Sequence, residues 1–290
     1  MVMLLVYVDI IITGTDIALI KDLQHMLHST FKMKDLGHLN YFLCLEVHPH
    51  QNGLLLNQNK YAQDLIDLAA LKDVTPDDTP MEVNVKFQKD EGNLLPDPFL
   101  YRRLFKISRF MQSPQHLHLA TVRRIIIYIF GSPSRGLFFP VGSSLHLTAY
   151  SDADWAGCPD TKKSTTGWCM FIGNALISWK CKKQDCVSKS STKLHDLLSE
   201  LGFTQVAPTP LHADNPSAIQ ITANPVHHER TKYIEIDCHY IWGAFDRNVI
   251  TLPHISTALQ VADVFTKATP HQRHKFLTSK LMLFDLPASI

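Results

Sequence analysis

The stretch AYSDADWAGCPDTKKSTTGWCMFIG, residues 149–173, is the part of the chain whose reading decides the fold. It begins at the end of an apolar segment, LHLTAYS, that alternates like a half-buried strand and delivers Asp152, with Asp154 two residues on. Further strands are expected at 145–151, 166–172, 175–181 and 209–213, and a last one at 249–255. Helices are expected near 188–201, at 216–223, at about 233–246 and from about 258 onward. Three consecutive strands followed by alternating helices and strands predict a mixed sheet with helices packed on it, an α/β (α+β) class.

Working outward to the beginning, VMLLVYVDIIITG (2–14) reads as two apolar strands around Asp9. Asp16 is placed to cap a helix running to about His28, with Ile17, Ile20, Leu23 and Leu27 on one face. Apolar runs on both sides of Gln51-Asn52-Gly53 predict a hairpin. Lys60 to Leu71 reads as a helix with Tyr61, Leu65 and Leu68 along one face and Ile66 and Ala69 beside it. Residues 73–98, with Pro76, Pro80, Pro96 and Pro98, read as a linker or extended connection. Another helix is expected from about Gln115 to Phe130, closed by GSPSRG, with a boundary near Ser143.

Hydrophobic residues are 45% of the 290 and charged residues 19%, a globular composition that excludes wholesale disorder. The 28 basic and 27 acidic residues nearly cancel, so net charge neither favours nor forbids a polyanionic partner. The six cysteines form no C-x-x-C pair and read as reduced thiols of an intracellular protein, cytoplasmic or nuclear rather than secreted. The sixteen histidines are scattered without metal-ligand spacing. The apolar start lacks a basic region and a cleavage site and is too short to span a bilayer; no membrane role is expected. A chain opening on a core strand looks like a fragment of a longer one.

Four aspartates are candidates for chemistry. Asp9 reads either as a catalytic carboxylate on a hairpin tip or as an exposed turn residue. Asp152, at the end of one strand, Asp214, at the end of another (TPLHA), and Asp263, at a helix start, belong to one expected sheet. Three such carboxylates can converge on a hard cation, Mg²⁺ or alternatively Mn²⁺. A pair of ions there would clamp the attacking and leaving oxygens of a phosphodiester hydrolysis. The competing reading is three turn-forming aspartates. Lys180, Lys182 and Lys183 beside Trp179 read as a rail for a nucleic-acid backbone or as a solvated strand end. Arg230 and Lys232 read as phosphate contacts or as ordinary surface charge.

The ordered set of segments is more specific than any one of them. Tyr7-Val8-Asp9 followed by IIITG resembles the Y-V-D-D motif of copia-type reverse transcriptases, and FKMKDLGHLNYFLCLEV and NQNKYAQDLI resemble the segments that follow it. SRFMQSPQHLHLATVRRIIIYI resembles the connection segment. AYSDADWAGCPDTKKSTTGWCMFIG, ISWKCKKQ, SKSST, HADNPSAI, NPVHHERTKYIEIDCHYI and ADVFTKA resemble, in order, the tethered ribonuclease H. The resemblance implies a reverse transcriptase palm/thumb remnant at 1–72, a linker and truncated connection at 73–143, and a ribonuclease H-like domain at 144–290. It also implies Mg²⁺ as the cofactor without any small-molecule cofactor, and an RNA–DNA hybrid as the ancestral partner.

The departures are as informative. Asp9 stands alone where the family has paired aspartates, with Ile10 next. Only Phe105, Lys106 and Ile107 lie between YRRL and SRF, where the family is longer. After Ser190-Ser191-Thr192 the family continues into an A-E-Y motif that carries a metal-binding glutamate; here Lys193-Leu194-His195 follow, and Glu200 matches a position farther down the helix. The resemblance thus implies Asp152, Asp214 and Asp263 as the remaining acids of a four-acid site, with Asp237 the weaker alternative for the last. Tyr233 and Trp242-Gly243 depart from the family as well. The expected protein is a remnant with its ancestral polymerase and nuclease activities lost, or alternatively a catalytically dead nucleic-acid-binding or structural remnant.

Overall fold

The computed structural model describes residues 2–6, 10–71, 74–83, 85, 92–104, 113–154, 165–183, 207–223, 241 and 243–285. The chain opens with an antiparallel hairpin, β1 (Val2–Val6) and β2 (Ile10–Gly14), as expected. Helix α1 (Ile17–Phe31) follows, its first turn closed by the Asp16 carboxylate, which accepts from Leu19 N at 3.0 Å. Ile20, Leu23 and Leu27 are half-buried, but Ile17 is exposed and no residue of α1 is fully buried.

A five-stranded antiparallel sheet comes next, in the order β12-β6-β5-β4-β3, from β3 (Tyr41–Phe42), β4 (Leu45–His50), β5 (Gly53–Asn57), β6 (Gly136–Pro140) and β12 (Leu283–Phe284). The predicted hairpin is present as β4–β5, with the turn on Gln51 and Asn52. Gly53 is already in the strand, and its φ is not positive. It is glycine because β6 lies close: a Cβ there would sit 2.3 Å from the Phe139 carbonyl oxygen. Strand β6 was not expected, since the Ser-Pro-Ser-Arg-Gly run before it hides a short apolar strand, GLFFP. Its pairing with β12 joins the middle of the chain to its last described residues, across the 143/144 boundary.

Helices α2 (Asn59–Ala69), α3 (Phe99–Leu104) and α4 (His116–Phe130) build one core. Gln115 and His118 form the reciprocal cap that starts α4. Ile66, Ala69, Tyr101, Leu104, Val122 and Ile126 meet at its centre. The buried stripe of α2 is therefore Ala62, Ile66 and Ala69, one residue around from the expected face, and Tyr61 lies half in solvent.

The second five-stranded sheet has the order β11-β10-β7-β8-β9. Strands β7 (Leu147–Asp154), β8 (Thr165–Ile172) and β9 (Ala175–Lys183) form an antiparallel meander; β10 (Thr209–His212) joins β7 in parallel and β11 (Ile250–Thr251) joins β10 in parallel. This is the mixed sheet the sequence predicts. Helix α5 (Pro216–Ala223) has the expected bounds. The helix expected near 188–201 lies outside the described residues, and of the one expected at about 233–246 only the end is described. The predicted C-terminal helix is broken into a 3-10 turn at Thr257–Leu259, α6 (Asp263–Thr266) and α7 (His271–Lys280). Pro270 lies between α6 and α7 and caps the latter. One face of the sheet packs Cys169, Phe171 and Leu176 against Val261, Val264 and Phe265, and against Leu137 and Leu283 of the first sheet. The other gathers Leu147, Ala149 and Met170 with Trp168, Ile172, Ile177 and Leu211. Cys169 is fully buried and burial pushes its thiol up to about 12, so it acts as an apolar core residue.

Ile66, 1% exposed at the centre of the helical core, gives a direct test of that packing. Ile66→Ala should cost about 2–5 kcal/mol in urea unfolding. His274 is a second probe. Burial lowers its pKa, with the nearby Arg135 and His271 acting in the same direction, and its ring meets the Tyr128 hydroxyl at 3.0 Å. A histidine whose folded pKa is depressed keeps its full contribution above the unfolded value of about 6.5 and loses it as pH falls below that. Unfolding curves at pH 7.5 and 5.5 should therefore show a smaller acid loss for His274→Gln than for the parent chain.

Candidate metal centre

Asp152 stands inside β7, two residues before the strand ends, on the face it shares with Tyr150. Asp214 follows β10, the strand directly beside β7, where Leu211 and His212 pair with Ala149 and Tyr150. Asp263 opens α6, which crosses that same face. Ligand oxygens of the three carboxylates lie within 4.8 Å of one another. Asp152 and Asp263 are buried and Asp214 is half-buried. The three acids singled out from the sequence are thus one cluster, brought together by parallel pairing of β10 on β7 and by the docking of α6.

That docking depends on Gly167, which sits directly across from Asp152 on β8. A Cβ at 167 would stand 2.7 Å from Thr266 Cγ2 and 2.8 Å from Phe265 Cβ. The absence of a side chain there lets α6 rest on the sheet at the level of the carboxylates. Gln260, fully buried, holds the approach to α6: its Nε2 donates to the Ser151 carbonyl at 3.0 Å and its Oε1 accepts from Ala262 N at 3.2 Å.

Positive charge and hydroxyl donors surround the acids. Lys267 Nζ lies 2.8 Å from Asp263 Oδ1 and 3.2 Å from each oxygen of Asp152. Arg273, from α7, donates to Asp263 Oδ2 and to the Thr257 carbonyl. The Thr266 hydroxyl donates to Asp152 Oδ2, and that of Thr257 to Asp214 Oδ2 at 3.0 Å. Burial opposes the charge on Lys267, but the hydrogen bond to Asp263 and the fields of both aspartates outweigh it and raise its pKa above the ordinary lysine range. Under the acids, the His212 ring stacks on Tyr150 at 5.0 Å, and burial lowers the His212 pKa.

Lys267, Arg273, Thr266, Thr257 and Gln260 were not singled out from the sequence. Lys267 lies four residues after Asp263, a spacing that puts both on one side of a helical turn, and this was the one available signal. Arg273 comes from beyond Pro270, so only the three-dimensional return of α7 reveals it.

The strand turns Lys180 and Lys182 of the expected rail away from the triad. Lys180, Lys182 and Lys183 lie within β9, which runs two residues longer than predicted. Lys180 pairs with Trp168 and Lys182 with Thr166, on the face opposite Asp152, whereas Trp179 and Cys181 share the Asp152 face. Asp9, Arg230, Lys232, Glu200 and Asp237 lie outside the described residues. The donor set of the triad, three hard carboxylate oxygens without thiol or imidazole, fits Mg²⁺ or Mn²⁺. No helix among the described residues is long and apolar enough to cross a membrane.

A mixed sheet with an aspartate triad across β7, β10 and α6 is thus joined to an antiparallel sheet and a helical core. The family model for reverse transcriptase (RNA-dependent DNA polymerase) matches residues 1–83. The retrovirus-related Pol polyprotein from transposon RE1 of Arabidopsis thaliana is 35% identical over 322 positions, covering 99% of this chain and 22% of that protein. Its counterpart from transposon TNT 1-94 of Nicotiana tabacum is 30% identical over 95% of this chain and 24% of its own length. An uncharacterized mitochondrial protein of Arabidopsis thaliana is 35% identical, covering 66% of this chain and 87% of that protein. The chain belongs to the Pol polyprotein family of copia-type retrotransposons, and it spans about a fifth of the length of the Pol relatives. The RE1 alignment runs over 322 positions against 290 residues here, so at least 32 positions of that relative have no counterpart, as the expected internal deletions require. Ribonuclease H1 of Halobacterium salinarum NRC-1 aligns with 42% of this chain and 94% of its own, at 11% identity and a TM-score of 0.27, too low to identify a fold by itself.

Gly167→Val should detach α6 from the sheet while leaving the helical core around Ile66 in place. Hydrogen exchange should then show lost amide protection at residues 262–267 together with unchanged protection in α4.

Proposed function

We propose that the chain is a remnant of a copia-type reverse transcriptase and ribonuclease H, in which Asp152, Asp214 and Asp263 still form a divalent-cation site while turnover has been lost. The observation that carries this reading is the convergence of the three carboxylates within 4.8 Å on a face crossed by α6. The ancestral reaction is hydrolysis of the RNA strand of an RNA–DNA hybrid. A divalent cation bound there supplies positive charge that polarises a phosphate oxygen and acidifies an attacking water. The chain's own residues have simpler tasks. Asp152 and Asp263 present buried oxygens, Thr266 and Thr257 orient Asp152 and Asp214, and Arg273 anchors Asp263 to the 257 carbonyl.

Loss of turnover follows from the residues after Thr192. The family's metal-binding glutamate has no counterpart in Lys193-Leu194-His195, and a missing ligand costs transition-state stabilisation directly. Polymerisation is lost for the same kind of reason, since Asp9 is followed by Ile10 where a second acid is needed. The placement of Lys180 and Lys182 on the face opposite Asp152 supports a cation site over a hybrid-binding rail, because they do not accompany the triad.

Calorimetric titration with Mn²⁺ should show binding at one site. Asp214→Asn, at the most accessible acid, should weaken it at least about tenfold, equivalent to about 1.4 kcal/mol. A labelled RNA–DNA hybrid should be cleaved at background rate with either Mg²⁺ or Mn²⁺. Robust cleavage abolished by Asp152→Asn would overturn the loss of turnover, and absence of any Mn²⁺ binding would overturn the cation site.

A further inference from the structure

We propose that Lys267 is a built-in counter-ion that closes the carboxylate triad, and that a divalent cation enters only by displacing its ammonium group. The inference rests on the cation-site reading above and adds a residue that governs occupancy. Every carboxylate oxygen of Asp152 and Asp263 already receives a donor. Lys267 reaches both oxygens of Asp152 and Oδ1 of Asp263, Thr266 reaches Oδ2 of Asp152, and Arg273 reaches Oδ2 of Asp263. A Mg²⁺ bound to Asp263 Oδ1 at about 2.1 Å would stand no more than about 5 Å from the ammonium that donates to the same oxygen. Two cations that close, at a site walled by buried carboxylates, repel strongly.

One of the two basic side chains must therefore yield, and the geometry points to Lys267. Arg273 is held twice, by Asp263 and by the Thr257 carbonyl. Among the described residues the Lys267 ammonium bonds carboxylates alone; its side chain is 40% exposed and ends a flexible four-carbon stem that can swing into water. Charge agrees. Three carboxylates against Lys267 and Arg273 leave one net negative charge; with the lysine withdrawn, two remain, which one divalent ion balances. The lysine makes the metal-free fold tolerable, since without it buried Asp152 would keep only the Thr266 hydroxyl and Arg273 alone would offset the two aspartates.

The test compares Mn²⁺ binding by the parent chain, Lys267→Gln and Lys275→Gln, the last removing an exposed lysine of α7. Lys267→Gln should bind at least about fivefold more tightly than the parent, with Lys275→Gln unchanged. Equal or weaker binding by Lys267→Gln overturns the inference and leaves the cation site standing, as does equal tightening in Lys275→Gln. If neither the parent nor Lys267→Gln binds Mn²⁺, the cation site itself fails and the inference with it. Should Lys267→Gln fail to fold, amine acylation of the parent chain decides, quantified by mass spectrometry. Saturating Mn²⁺ should raise labelling of Lys267 at least about threefold relative to Lys275; unchanged labelling overturns displacement.

Discussion

Two aspartates, Asp152 and Asp263, are buried within reach of the same ammonium group, and much of the C-terminal half is arranged around that fact. A low-dielectric interior penalises each carboxylate, and penalises the pair more, unless positive charge stands between them. Lys267 and Arg273 supply it, from the end of α6 and from the first turns of α7. For those side chains to arrive, α6 must lie flat on the sheet, which requires Gly167. The helix must also break before Pro270, so that α7 can return. The buried Gln260 that ties the segment to the Ser151 carbonyl belongs to the same requirement.

The same arrangement explains how the carboxylate cluster can persist whatever the activity of the chain. Each donor around the triad satisfies a group that would be costly to leave unpaired, so the cluster contributes to folding whether or not substrate is turned over. On the proposed reading, the missing glutamate after Thr192 removes a catalytic contribution without removing the reason for Asp152, Asp263, Lys267 and Arg273 to stay together. Asp9 differs, since the sequence beside it holds no second acid.

Much of this was legible in the sequence, and the exceptions have physical causes. The apolar segments LHLTAYS and TTGWCMFI marked β7 and β8, and Asp16 marked the start of α1, because these signals are local. Asp152, Asp214 and Asp263 could be paired with one another because strand ends and helix starts in a mixed sheet meet at one edge. Strand β6 was missed because its five residues follow a turn-rich run and are stabilised only by β5 and β12, which are distant in sequence. The buried stripe of α2 runs through Ile66 and Ala69, beside the apolar face read from the sequence, because α3 and α4 choose Ile66 and the helix's own periodicity is compatible with either side. Lys267 stood in plain view, but nothing local shows that it faces, besides the acid of its own helix, one on a distant strand.

Strand β12 gives the molecule an order of assembly. Arg135 beside β6 holds Asp285 at 3.1 Å, a contact between residues 150 positions apart. Contacts of such separation close late, because the intervening loop must first be ordered. During synthesis the ribosome releases Asp152 and the whole β7–β9 meander before Asp263, Lys267 or Arg273 exists. For that interval the nascent sheet presents a carboxylate with no counter-charge and a bare Gly167 surface where α6 will lie. Residues 260–285 are thus the step that neutralises and covers the sheet, and a nascent chain that lacks them exposes the surface on which aggregation begins.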